Sequence, residues 1–124
     1  MIVGVGLDIV EIKRVARILE RQGDAFPDRI LTNDESRDRL GNHDGPAHLA
    51  GLFAAKEAVM KAMGTGMAGA SFREIRIRHL DSGQPTVELR GDTRQRAESM
   101  GIGSWHVSIT HSRKTAAAVA IAMA

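Results

Sequence analysis

The stretch Leu49 to Met63 limits what this chain can become more than any other. Read as a helix at 100° per residue, it gathers Leu49, Leu52, Phe53, Val59, Met60 and Met63 into one apolar arc. Lys56 falls near the middle of that arc, and Glu57 and Lys61 sit together on its flank. An ammonium in a core-facing stripe is unfavourable unless it meets an anion or reaches water. The pattern predicts a helix that packs on the body of the protein while lining a site for something negatively charged.

The elements around it point to α+β, with a largely antiparallel sheet packed against that helix. Ile2 to Leu7 reads as a short buried strand that delivers Asp8 at its end. A helix is predicted from about Ile9, with Ile12, Val15, Ala16 and Leu19 spaced for one face and Gly23 as its stop. Thr32 to Glu35 has the spacing of a capping box, which predicts a short helix to about Leu40, followed by a loop at Gly41 to Pro46. Ile75 and Ile77 alternate with Arg73, Arg76 and Arg78, a turn follows at Asp81 to Pro85, and Val87 and Leu89 alternate after it. Asp92 and Gln95 are placed to cap a helix ending at Gly101, and two last strands span Trp105 to His111 and Thr115 to Met123. This is not the alternating order of a βαβ array.

A length of 124 residues fits one domain, residues 1–124, that buries roughly two thirds of its unfolded surface. With no cysteine, disulfides and thiolate metal sites are excluded, which fits a reducing compartment. No apolar run approaches the roughly 20 residues that span a bilayer. The first residues are apolar and then basic, the reverse of a secretory signal, so a cytoplasmic protein without a membrane part is expected. The net charge is only +2. Tyrosine is absent and Phe26, Phe53, Phe72 and Trp105 are the only aromatics, which argues against a base-stacking nucleic-acid module.

Several residue sets carry candidate chemistry, each with a plainer alternative. Asp8 at a strand end and Glu57 on a helix flank would suit a hard cation such as Mg²⁺, which takes one or two carboxylates and completes its shell with water and phosphate oxygens. The alternative has Asp8 capping the first helix and Glu57 in an i, i+4 pair with Lys61. Lys56 and Lys61 would be phosphate-facing cations, or else solvated. Gly64, Gly66 and Gly69 have the spacing of a dinucleotide fingerprint but follow a helix instead of a strand, so they more simply end the helix and let backbone N–H groups approach a ligand. In the strand from Trp105 to His111, His106, Ser108 and Thr110 share one face, as either a polar ligand wall or an exposed outer surface. Arg14, Arg17 and Arg21 form a basic stripe on the first helix, either solvated or facing an acidic partner or a phosphate backbone.

Three separated segments, GVGLDIVEIKR (Gly4 to Arg14), FAAKEAVMKAMGTG (Phe53 to Gly66) and HVSITHS (His106 to Ser112), resemble the signature blocks of the holo-acyl-carrier-protein synthases, the small bacterial-type 4′-phosphopantetheinyl transferases. LTNDE at Leu31 to Glu35 and the GQP turn at Gly83 to Pro85 fit as well, so the likeness covers nearly the whole chain. It implies an enzyme of fatty acid biosynthesis that moves 4′-phosphopantetheine from coenzyme A to a serine of apo-acyl carrier protein and releases adenosine 3′,5′-bisphosphate. Carried over by position, Asp8 and Glu57 would bind Mg²⁺, and Glu57 and Lys61 would serve catalysis. Lys56, Lys61, Gly64, Gly66, Pro85, His106, Ser108 and Thr110 would contact the coenzyme, while Arg14, Arg17 and Arg21 would meet the carrier protein. The resemblance also implies a homotrimer whose sites are shared between subunits. One departure is Leu52, where the family usually has an arginine. The competing reading is a non-catalytic basic domain that binds nucleic acid or a phospholigand. It rests on the arginine-rich surface, and it predicts steeply salt-dependent binding that survives loss of the two carboxylates.

Overall fold

The computed structural model describes residues 1–36, 45–66 and 69–124. It comprises β1 (Ile2–Glu11), α1 (Ile12–Gln22), α2 (Ala25–Ile30), α3 (Pro46–Met63), β2 (Ile75–His79), β3 (Pro85–Leu89), α4 (Gly91–Ser99), β4 (Ser104–His111) and β5 (Thr115–Met123). Three strands form an antiparallel sheet in the order β1-β5-β4, and β2 and β3 form a separate antiparallel hairpin. The long helix α3 lies across the three-stranded sheet and is buried on most sides. The α+β class read from the sequence is therefore the observed one.

Small residues bring helix and sheet together. Along β5, Ala116, Ala118, Ala120 and Ala122 face inward and are buried, and Ala54, Ala55, Ala58 and Ala62 of α3 are buried opposite the sheet. On β1, a methyl group at Gly4 would run into the Ala62 carbonyl, and one at Gly6 into the Ala58 carbonyl. Glycine is therefore what lets this strand lie against the helix backbone. The side-chain period of two then carries Asp8 to the same face as Gly4 and Gly6, towards the helix.

The structure changes the reading of β1 in two ways. The strand runs to Glu11 instead of ending near Leu7, because its pairing with β5 continues through Val10 opposite Ala116 and Glu11 opposite Thr115. Helix α1 accordingly begins at Ile12, and Asp8, four residues earlier, does not cap it. Nor is the strand buried on both faces. Its larger side chains point outward, with Leu7 at 65% and Ile9 at 68% relative exposure, and Val5 exposed beside them.

Other expectations fare variously. Gly23, at φ 56°, ends α1 as expected. The capping box forms: Thr32 N–H donates to Glu35 Oε1 at 2.9 Å, and Glu35 N–H donates to Thr32 Oγ1 at 3.2 Å. The expected continuation of that helix to Leu40 and the loop residues 41–44 lie outside the described residues. The hairpin has Ile75 and Ile77 buried, as their alternation requires. Helix α4 is capped differently from the expectation. Glu74, from the 3₁₀ turn before β2, accepts Asp92 N–H at 3.0 Å, Thr93 N–H at 3.3 Å and the Thr93 hydroxyl at 2.8 Å. A carboxylate from another segment thus satisfies the free N–H groups and favours the positive end of the helix. Among the described residues, no helix is long and apolar enough to cross a membrane.

Candidate active site

Asp8 and Glu57 meet in one cleft. The inward face of β1 supplies Asp8, α3 supplies Glu57, and Arg14, Ile18, Phe26 and Phe53 complete a cavity of about 260 Å³. Lys61, one helical turn beyond Glu57, donates from Nζ to Asp8 Oδ1 at 3.0 Å and to the Leu7 carbonyl at 3.0 Å. Its side chain is 51% exposed and that of Asp8 only 14%. Asp8 caps no helix, and the Lys61 ammonium rests on Asp8 and the Leu7 carbonyl while its charge still acts on Glu57.

The electrostatics of this cleft favour a cation. Burial, reinforced by the Asp8 charge, pushes the Glu57 carboxyl above the ordinary glutamate range, and Lys61 opposes the shift. Two carboxylates whose charges oppose each other, with an ammonium already lying against one, form a donor set suited to a divalent ion. Among the described residues, no cluster of three or more His, Cys, Asp or Glu could hold a metal by itself. The fit is thus to an ion that takes few protein ligands and fills its shell with water and substrate oxygens, as Mg²⁺ does.

Lys56 requires a correction. It does not face a phosphate site, because its side chain is fully buried and its ammonium is already surrounded by acceptors. It donates to Glu35 Oε1 at 2.6 Å, to the Ile30 carbonyl at 2.6 Å and to the Phe72 carbonyl at 3.0 Å. Burial draws this ammonium below the usual lysine range, and Glu35 pulls it back up. From the sequence Glu35 reads as half of a capping box and as the end of the LTNDE segment. Its carboxylate also accepts the Ile77 N–H at 2.7 Å, which no local sequence signal announces.

The remaining candidates fall into three places. Arg14, Arg17 and Arg21 are exposed on α1, and Arg14 lines the cleft. Gly64 closes α3 in the left-handed region at φ 70°, and Gly66 follows at φ 53°. His106, Ser108 and Thr110 are exposed on the outer face of β4, while Val107 is buried and Ile109 half-buried on the other. Pro85 is not on their side. It lines a cavity of about 200 Å³ with Leu52, His79, Ile109 and His111. One chain therefore does not present Pro85 and the His106 face to a single ligand.

Sequence and fold comparisons identify the family. The family model described as "4'-phosphopantetheinyl transferase superfamily" matches residues 4–121. The chain belongs to this family. A holo-[acyl-carrier-protein] synthase of Solidesulfovibrio magneticus is 49% identical to this transferase over 98% of both chains, and one of Maridesulfovibrio salexigens is 45% identical, again over 98% of both. Among solved structures, holo-[acyl-carrier-protein] synthase from Neisseria meningitidis superposes with a TM-score of 0.95 at 38% identity, covering 100% of both chains. The Helicobacter pylori enzyme in complex with coenzyme A superposes at 0.85 with 30% identity, over 96% of this transferase and 99% of that chain.

Proposed function

We propose that the chain moves the 4′-phosphopantetheine group from coenzyme A to a serine of apo-acyl carrier protein and releases adenosine 3′,5′-bisphosphate. The observation that carries this reading is the convergence of Asp8 and Glu57 in one cleft with Lys61 at its edge. Relatives named for this activity at 45% and 49% identity, and a structural neighbour in complex with coenzyme A, support the substrates.

Asp8 and Glu57 would hold Mg²⁺, which would supply positive charge against the diphosphate of the coenzyme. Lys61 adds a cation where negative charge gathers on the departing bisphosphate. Glu57 accepts the proton of the carrier serine, directly or through water, as the serine oxygen bonds to the β-phosphorus and the bond to the bisphosphate breaks. Gly64 and Gly66 line the path of the coenzyme with backbone. Arg14, Arg17 and Arg21 draw in the acidic carrier protein by charge.

His106, Ser108, Thr110 and Pro85 serve the nucleotide end across a subunit boundary. Within one chain they face opposite sides of β4, so a site that uses all four needs two copies. The outward Val5, Leu7 and Ile9 give a second copy an apolar surface to cover, in keeping with a homotrimer. The protein works in the cytoplasm as one domain of fatty acid biosynthesis.

Intact-mass measurement of an apo-carrier protein, incubated with this chain, coenzyme A and Mg²⁺, tests the proposal. The carrier should gain one phosphopantetheine, and EDTA should abolish the gain. A carrier left unmodified by the wild-type chain refutes it.

A further inference from the structure

All three phenylalanines of the chain meet in one place. Phe53 on α3 lies between Phe26 of α2, at a ring-centroid distance of 5.9 Å, and Phe72 of the 3₁₀ turn before β2, at 5.5 Å. Together with Ile30 and Arg29 they line a groove of about 450 Å³. Phe26 and Phe53 also line the cleft of Asp8 and Glu57, so groove and cleft adjoin at these two rings.

The two walls of this groove belong to segments far apart in sequence, Ala25–Ile30 and Phe72–Glu74. Lys56 ties both to the helix at their backbones. Its ammonium binds the carbonyl of Ile30 in one wall and that of Phe72 in the other. Its third partner, Glu35, is itself fixed by Thr32 N–H and by Ile77 N–H of β2. Three donors meet three acceptors, so the ammonium has one satisfied geometry and resists displacement. The residue after Lys56 is Glu57, and the residue one turn before it is Phe53, the floor of the groove.

We propose that Lys56 is a positioning residue: held by Glu35, it fixes the two walls of the phenylalanine groove at the spacing over which a carrier protein settles beside Asp8 and Glu57. This rests on the function proposed above. Arg29 in the groove and Arg14 in the cleft give both a basic rim, which complements an acidic protein.

The scarcity of phenylalanine supplies the test. Uniform labelling with 4-fluorophenylalanine gives three fluorine resonances, all from this groove. Two variants are compared with wild type: Glu35→Gln, and the paired Glu35→Gln with Lys56→Met, which removes both charges and leaves neither buried alone. An Ala97→Gly variant in α4 serves as a control for general destabilisation.

In the positioning variants the three lines should shift or broaden, and the carrier's KM should rise about tenfold while kcat and the coenzyme A KM stay within about twofold. The control should move neither, at a comparable loss of melting temperature. Unmoved fluorine lines, an unchanged carrier KM, or a fall in kcat at saturating carrier would each overturn the inference. A wild-type chain that modifies no carrier would refute the function instead, and the fluorine lines would still report on the walls.

Discussion

Lys56 and Lys61 stand five residues apart on one helix, and the fold uses them in opposite ways. The first is sealed among Glu35 and two backbone carbonyls, while the second is half in water with its ammonium on Asp8. On a helical projection the two differ by an angle that turns one towards the core and the other towards the strand edge. A side chain's chemistry therefore says little until its desolvation and its partners are known. A buried ammonium works as architecture, whereas the half-exposed one on Asp8 lies at the edge of the cleft.

The sharpest way to break this contrast is to remove each ammonium in turn. Lys56→Met alone leaves the Glu35 carboxylate buried without its counterion, which should lower the unfolding free energy by about 3–5 kcal/mol in urea titrations. A loss below about 1 kcal/mol, the size expected of an exposed pair, would erase the distinction between the two lysines. Lys61→Met should show the reverse profile. Its stability should stay within about 1 kcal/mol of wild type, while transfer to the carrier falls by about 10²-fold. Equal losses of stability in both variants would contradict the assignment.

A smaller, pH-dependent effect sharpens the same comparison from the carboxylate side. Burial first, and Asp8 second, raise the Glu57 carboxyl above its ordinary range. The folded chain then keeps this proton to a higher pH than the unfolded chain does. Stability contributed by the protonated group is present below the ordinary glutamate value and is lost as the pH rises through the raised one. Divalent ions need the ionised form, so their binding should strengthen over the same interval. Melting curves and Mg²⁺ titrations at stepped pH would show both slopes, and Glu57→Gln should abolish them. A stability slope that persists unchanged in Glu57→Gln would mean that another group causes it.

Much of the fold is legible where a pattern is local and periodic. The α3 arc, the Ile75 and Ile77 alternation, the two faces of β4, the stop at Gly23 and the Thr32–Glu35 box all follow from spacing over a few residues. Asp8 and Glu57 are legible as candidates for the same reason, each read at the edge of an element. The boundary between β1 and α1 is not. The helical spacing that starts at Ile12 extends backward as easily to Ile9, and only the continuing ladder to β5 decides the matter. Helix α2 escapes notice because six residues containing Pro27 carry too few turns to show a period. The α4 cap and the partner of Lys56 lie beyond local reading altogether, since Glu74 and Glu35 arrive from other segments.

What the sequence determines unaided is which chemistry is on offer: a helix with a lysine in its apolar stripe, two carboxylates able to share a hard cation, and a run of arginines on one helix. Only the packed structure decides that Lys56 is sealed among Glu35 and two backbone carbonyls, that Lys61 and Asp8 touch, and that β1 leaves its larger side chains outside. The reason is distance along the chain. Periodicity reports the angle at which a side chain leaves its own element, whereas hydration and pairing depend on what a segment twenty or fifty residues away brings to that angle.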